Sequence, residues 1–156
     1  SKPATVRSRC SIRVLIFSGI THRGRFMRAR RLEELYRGYI DCLNAQDWDR
    51  LGDYVGDDVH YNGKHVGLSG YRAMLERDYR EIPDLRFNID LLVANETHVA
   101  SVLAFECSPK GEFLGLAVNG RKVAFSENVF YEFRDGKIVN VRSLLDKLAV
   151  EAQISR

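Results

Sequence analysis

SENVFYEFRDGKIVNVRSLLD, residues 126–146, decides how the rest of the chain folds. Asp135-Gly136 sits between two runs rich in β-branched and aromatic residues, the strongest short-range signal for a two-residue hairpin. In the run Lys122 to Arg134, Val123, Phe125, Val129, Tyr131 and Phe133 share one parity. Ala124, Ser126, Asn128, Phe130 and Glu132 share the other. After the hairpin, Ile138, Asn140, Arg142, Leu144 and Asp146 alternate with Val139, Val141, Ser143 and Leu145. Large apolar groups occupy both parities. One face covers helices, and the other, which would expose Val129, Tyr131 and Phe133, is expected to meet a second copy of the chain. Parity alone leaves open which face is concave.

Upstream, Leu85, Phe87, Ile89, Leu91 and Val93 also alternate with polar residues. Asn95-Glu96-Thr97 then turns the chain into a strand from His98 to Ser108. Further back the period lengthens. Leu32, Leu35, Tyr36, Tyr39, Ile40 and Leu43 make one helical stripe. Asp47 is placed to cap a short second helix with Trp48, Leu51 and Tyr54. A brief strand, Val59 to Asn62, closes at Gly63. Ser69 is placed to cap a third helix with Tyr71, Met74, Leu75, Tyr79 and Ile82, stopped by Pro83. A short helix from Lys147 to Gln153 ends the chain. Helices first and an antiparallel meander after predict an α+β domain, with helices on one face of a curved sheet. The loop SPKGEFLGLAVNG, residues 108–120, is too apolar for a bare connection and predicts a flap or plug at the sheet end.

Charge divides the chain unevenly. Nine of its 24 basic residues lie in residues 1–31, which hold none of its 21 acidic ones. The remainder is acidic, which argues against a nucleic-acid surface. The basic stretch reads as a transit peptide or as sequence ahead of a start at Met27. Its apolar centre, VLIF, is too short for a secretory signal. Residues 1–26 are expected to lie outside the fold, and 27–156 to form one domain. No apolar run is long enough to span a membrane. Three widely spaced cysteines, Cys10, Cys42 and Cys107, read as free thiols in a reducing compartment, hence a cytoplasmic location.

LYRGYIDCLNAQDWDRL, GYRAMLERDY, PDLRF, GEFLG, SENVFYEFRDGKI and LLDKLAVEAQ, in this order and spacing, resemble the SnoaL-like polyketide cyclase family and its predicted ester cyclase branch. The resemblance covers Leu32 to Gln153. It implies a cone-shaped α+β barrel around an apolar cavity, assembled as a dimer or larger oligomer. It implies acid/base ring closure or isomerisation of a hydrophobic substrate, with no metal and no organic cofactor. The family's catalytic aspartate falls on Asp146, its amide on Asn128, and a further asparagine near Asn62. Phe130 stands where those cyclases carry a histidine.

The chemistry asks for a carboxylate made more basic by burial, with donors for the enolate oxygen. Asp146 would be that acid/base, Phe130 and Leu144 its apolar walls, and Asn128 or Arg142 its donors. His60 shares the parity of Asn62 and joins the candidate substrate contacts. Asp146 also sits where a helix N-cap belongs. A buried Asp146 beside Asn128 would mark the catalyst, and an exposed one bonded to the next helix would mark the cap. Glu127, on the opposite parity, reads as an interface or structural carboxylate. His60 and His65 have no zinc spacing. The alternatives are an epoxide-hydrolase-like enzyme, with Arg142 bridging two aspartates, and a non-catalytic module binding a hydrophobic metabolite.

Overall fold

The computed structural model describes residues 22–155. In chain order these form α1 (His22–Ala45), a 3-10 turn (Trp48–Arg50), α2 (Leu51–Tyr54), β1 (Val55–Tyr61), β2 (Lys64–His65) and α3 (Gly67–Glu81). Then come β3 (Asn88–Ala94), β4 (His98–Cys107), β5 (Glu112–Phe113), β6 (Leu116–Ala117), β7 (Val123–Arg134), β8 (Lys137–Leu145) and α4 (Lys147–Ile154). Six strands make one sheet in the order β2-β1-β8-β7-β4-β3, with β5 and β6 as a separate hairpin. The main sheet is antiparallel except where β1 runs parallel to β8. The architecture is the expected α+β cone, but the sheet stays open and does not close into a barrel.

The helical stripes form where periodicity places them. Leu32, Tyr36, Tyr39, Ile40 and Leu43 of α1 are buried, as are Tyr71 and Leu75 of α3. Two caps differ from expectation. Asp47 precedes the 3-10 turn without a side-chain cap bond, and α3 begins two residues before Ser69, after Val66. Helix α1 runs through position 27, starting at His22, with its arginine-rich first turns exposed. Arginine is a good helix former. Arg25 and Arg28 also reach Glu96 at 3.0 and 2.9 Å. The remaining expectations for the basic stretch lie on residues outside those described.

Burial settles the parity question. On β7, Val123, Phe125, Val129, Tyr131 and Phe133 are buried against the helices, and Asn128 and Phe130 are exposed. The face of Val129, Tyr131 and Phe133, expected to meet a second copy, is instead the concave one, covered by this chain's own helices. Register shifts complicate the rest, two of them by one extra residue, besides an irregularity between β1 and β8. Across β7 and β8, Glu132 pairs with Asn140 but Phe133 with Ile138, so Val139 is an extra residue. Ile138 and Val141 consequently both point inward, although a regular strand would separate them. Asp90 is the equivalent extra residue of β3. Beyond it Leu92 and Ala94 pack on the core, while Leu91 and Val93 turn outward.

The Asp135-Gly136 hairpin has positive φ at both positions, 51° and 76°, the geometry such a turn requires. Leu114-Gly115 repeats it, at 54° and 75°, between β5 and β6. Among the described residues no helix is long and apolar enough to cross a membrane. Leu103 of β4 is completely buried and Leu148 of α4 is 75% exposed. In urea denaturation, Leu103→Ala is expected to cost about 2–5 kcal/mol. Leu148→Ala should stay within about 0.5 kcal/mol.

Candidate active site

A cavity of about 500 Å³ lies between α3, the concave sheet face and the β5–β6 hairpin. Alternation carries Phe125, Glu127 and Tyr131 of β7 into it, together with Val141 and Leu145 of β8. Helix α3 adds Tyr71, Leu75 and Asp78, spaced four and three residues apart on one helical face, and Ile82 follows at its C-cap. Phe113 and Leu114 close one end, with the Phe113 ring 5.1 Å from that of Phe125. The apolar loop thus packs on the cavity and not away from it. The exposed side chains Arg77, Glu81 and Glu112 mark the mouth.

Glu127 is the carboxylate of the sheet wall. Ser143 lies diagonally across on β8 and donates its hydroxyl to Glu127 Oε1. Burial pushes the Glu127 carboxyl above the ordinary range, and the serine bond partly opposes that shift. Asp78, on the helix wall, is pushed up to about 6, chiefly by burial, with Arg77 opposing and Glu81 and Glu127 adding to the rise. Tyrosine hydroxyls supply the polar atoms between. Tyr39 and Tyr71 share a hydrogen bond of 2.7 Å, and burial raises both phenols, so they stay protonated at neutral pH. Tyr61 lies 6.3 Å from Tyr71, ring to ring. The site therefore offers Asp78, a carboxyl that exchanges its proton near pH 6, Glu127, a carboxyl whose proton affinity burial raises, and phenols able to donate to an oxygen.

The residues singled out from the sequence gather elsewhere. Asn62, Asn128, Phe130, Arg142 and Leu144 line a groove on the convex face, with Phe130 57% and Leu144 71% exposed. Asp146 is exposed and caps α4, accepting a hydrogen bond of 3.0 Å from the Ala149 amide. By the criterion set out above it takes the place of the cap. Asn62 ties the β1–β2 turn to β8. It donates to the Ser143 carbonyl at 3.2 Å and accepts from the Ser143 amide at 2.8 Å. His60 is exposed, with Nδ1 3.0 Å from the Asp58 carbonyl oxygen and its ring 5.1 Å from that of His65. Among the described residues no three His, Cys, Asp or Glu side chains group as metal ligands do.

Two signals for the inner site were present in the sequence. Asp78 interrupts the α3 stripe between Leu75 and Ile82. Glu127 interrupts the alternating row Phe125, Val129, Tyr131. A charge inside an apolar repeat is costly unless it is paired or hydrogen-bonded, so its presence marks a position that departs from plain core.

The family model for SnoaL-like polyketide cyclase matches residues 33–154. A SnoaL-like polyketide cyclase from Agrobacterium tumefaciens strain C58 is 50% identical, with a TM-score of 0.78 over 79% of this chain and 97% of its own. TsrD from Streptomyces laurentii shares the fold at 20% identity and a TM-score of 0.70, over 80% of this chain and 95% of its own. AclR from Streptomyces galilaeus, described as a candidate hydroxylase, does so at 19% and 0.67, over 81% and 97%. No curated protein matches the chain.

The raised Asp78 carboxyl has a consequence for stability. A folded-state pKa of about 6 against an ordinary 3.8 means that the native state binds more protons in that window. The ionised side chain thus destabilises the fold above about pH 6, and the penalty vanishes below about pH 4. Asp78→Asn is expected to gain on the order of 1–2 kcal/mol at pH 8. Thermal melts at pH 8 and pH 4 should show the gain at the first and not at the second.

Proposed function

This chain belongs to the SnoaL-like polyketide cyclase family, and from that premise we propose that it is an enzyme of proton-transfer chemistry. Its substrate is a hydrophobic, carbonyl-bearing small molecule held in the inner cavity, and Glu127 is its acid/base. The observation that carries this reading is the placement of Glu127, a carboxylate on an apolar wall, oriented by Ser143 and facing tyrosine hydroxyls. A binding module needs the cavity but no carboxyl group in it. A hydrolase of the two-carboxylate type needs an arginine bridging the pair, and Arg77 and Asp78 take part in no ion pair among the described residues.

The mechanism follows from these positions. Glu127 removes a proton from a carbon next to a carbonyl group, and burial makes it a stronger base than an exposed carboxylate. The negative charge moves to the carbonyl oxygen, where Tyr71 or Tyr61 donates a hydrogen bond. The enolate carbon then attacks a second carbonyl carbon of the same folded molecule. The alkoxide so formed takes back the proton from Glu127, and the ring is closed with no net change in protons. Isomerisation differs only in returning the proton to another carbon. The cavity supplies proximity by holding the two reacting ends together.

The convex groove fits a second reading at the level of assembly. We propose that this face pairs two copies of the chain through Phe130 and Leu144. Arg142 and Glu132 lie in the same groove and offer opposite charges across a two-fold axis. Phe130→Asp should then halve the mass seen in sedimentation; an unchanged mass would remove this interface.

Aromatic β-keto esters shaped like short polyketides, followed by chromatography, test the catalytic reading. Glu127→Gln is expected to lower turnover by about 10²–10⁴-fold. Asp146→Ala should leave turnover unchanged and cost about 1 kcal/mol of stability through the lost cap. Full activity in Glu127→Gln would refute the assignment.

A further inference from the structure

Asp78, Glu81, Glu112 and Glu127 line the inner cavity against a single guanidinium, that of Arg77. Among the described residues none of the five belongs to an ion pair. Elsewhere the charges of this protein do pair: Arg72 with Glu76 at 2.7 Å, and Lys122 with Glu106 at 2.8 Å. Glu81 and Glu112 stand exposed at the mouth, and Glu127 has the Ser143 hydroxyl, but Asp78 gives up hydration to the cavity wall with no ion pair to offset the loss.

The walls add to the imbalance. The Phe105 ring lies 5.4 Å from that of Phe87 and 5.1 Å from that of Phe125, and Tyr61 faces Tyr71. Ring faces are negative and attract cations, the more strongly where water is excluded. Carboxylates and ring faces thus dominate the lining, with the phenolic hydroxyls and the Arg77 head as the positive ends. A carboxylate or phosphate ligand would enter against this field, whereas a positive nitrogen would be attracted by it.

We propose that the substrate is an organic cation. Its apolar body fills the cavity, and a protonated amine or quaternary nitrogen sits against Asp78 and the aromatic rings. Glu127 stays free for proton transfer. This rests on the reading of the cavity as the substrate site and adds the charge of what enters it.

Three probes with one body and different charges separate the two claims: 1-naphthylmethylamine, 1-naphthylmethanol and 1-naphthoate. Calorimetric titration of the unmodified chain at pH 7.5 should show the amine binding at least about tenfold tighter than the alcohol. The carboxylate should bind weakest. Asp78→Asn should reduce the amine's advantage to about threefold or less and leave the alcohol's affinity unchanged. The ranking on the unmodified chain decides the matter alone if that variant does not fold. Equal binding of amine and alcohol, or a preference for the carboxylate, overturns the cation while the cavity reading stands. An amine advantage that survives Asp78→Asn also overturns it. No binding by any of the three overturns both.

Discussion

The long register between β4 and β7 is the constraint on which the rest of this structure depends. Ten consecutive pairs, from His98 with Glu132 to Cys107 with Val123, run without a bulge. Every inward side chain of β7 is thereby committed. Val123, Phe125, Val129 and Tyr131 must face the helices, because a slip by one residue would exchange them for Ala124, Ser126, Asn128 and Phe130. Glu127 belongs to the inward row and is carried into the cavity by its neighbours. Its own preference is for water. The apolar groups on either side hold it in place, and Ser143 directs one oxygen.

That arrangement sets an open, charged cavity against tight core packing in one small space. Leu103, Val129 and Leu51 are packed to near-zero exposure, as a core requires. Beside them the sheet and α3 leave room for about 500 Å³ and place carboxyls on its walls. A well-packed core would fill that volume with apolar side chains and lose nothing in stability. Stabilising changes at such a site are easy to find and commonly damage activity. The cavity is maintained by what surrounds it: Phe113 and Leu114 at one end, the paired Tyr39 and Tyr71 hydroxyls at the helix side, and the open mouth at Arg77, Glu81 and Glu112.

Much of the fold was legible in the sequence, for reasons that are local. Asp135-Gly136 specifies its turn through the backbone it permits, whatever the tertiary context. The α1 stripe needs only its own periodicity. The inner site was legible only in the two carboxylates that interrupt apolar repeats, and the reason is specific. Both parities of β7 and β8 carry large apolar groups, so alternation could not tell inside from outside. The extra residues Val139 and Asp90 then shift the phase without any mark in composition. Leu91 and Val93 look like core on a regular strand and face outward in the fold. Asp146 illustrates the other difficulty: an aspartate at a strand end serves a helix cap equally well, and the structure gives it the cap.

Family membership and site chemistry are separate kinds of information here. The fold is shared even with AclR and TsrD, whose identities near 20% leave most cavity positions free to differ. A cone of this kind requires an apolar inner row, a helix stripe and a closing hairpin, and any inward position can hold the reacting group. On our reading Glu127, which lines the cavity, takes the role in place of the strand-end Asp146, which does not line it. What changes is the surroundings of the carboxyl group. At Asp146 it would have water and a helix amide, and at Glu127 it has Ser143, phenols and rings. Those surroundings raise its proton affinity. The property a base requires therefore comes from the wall, and the wall is fixed by the register of β4 and β7.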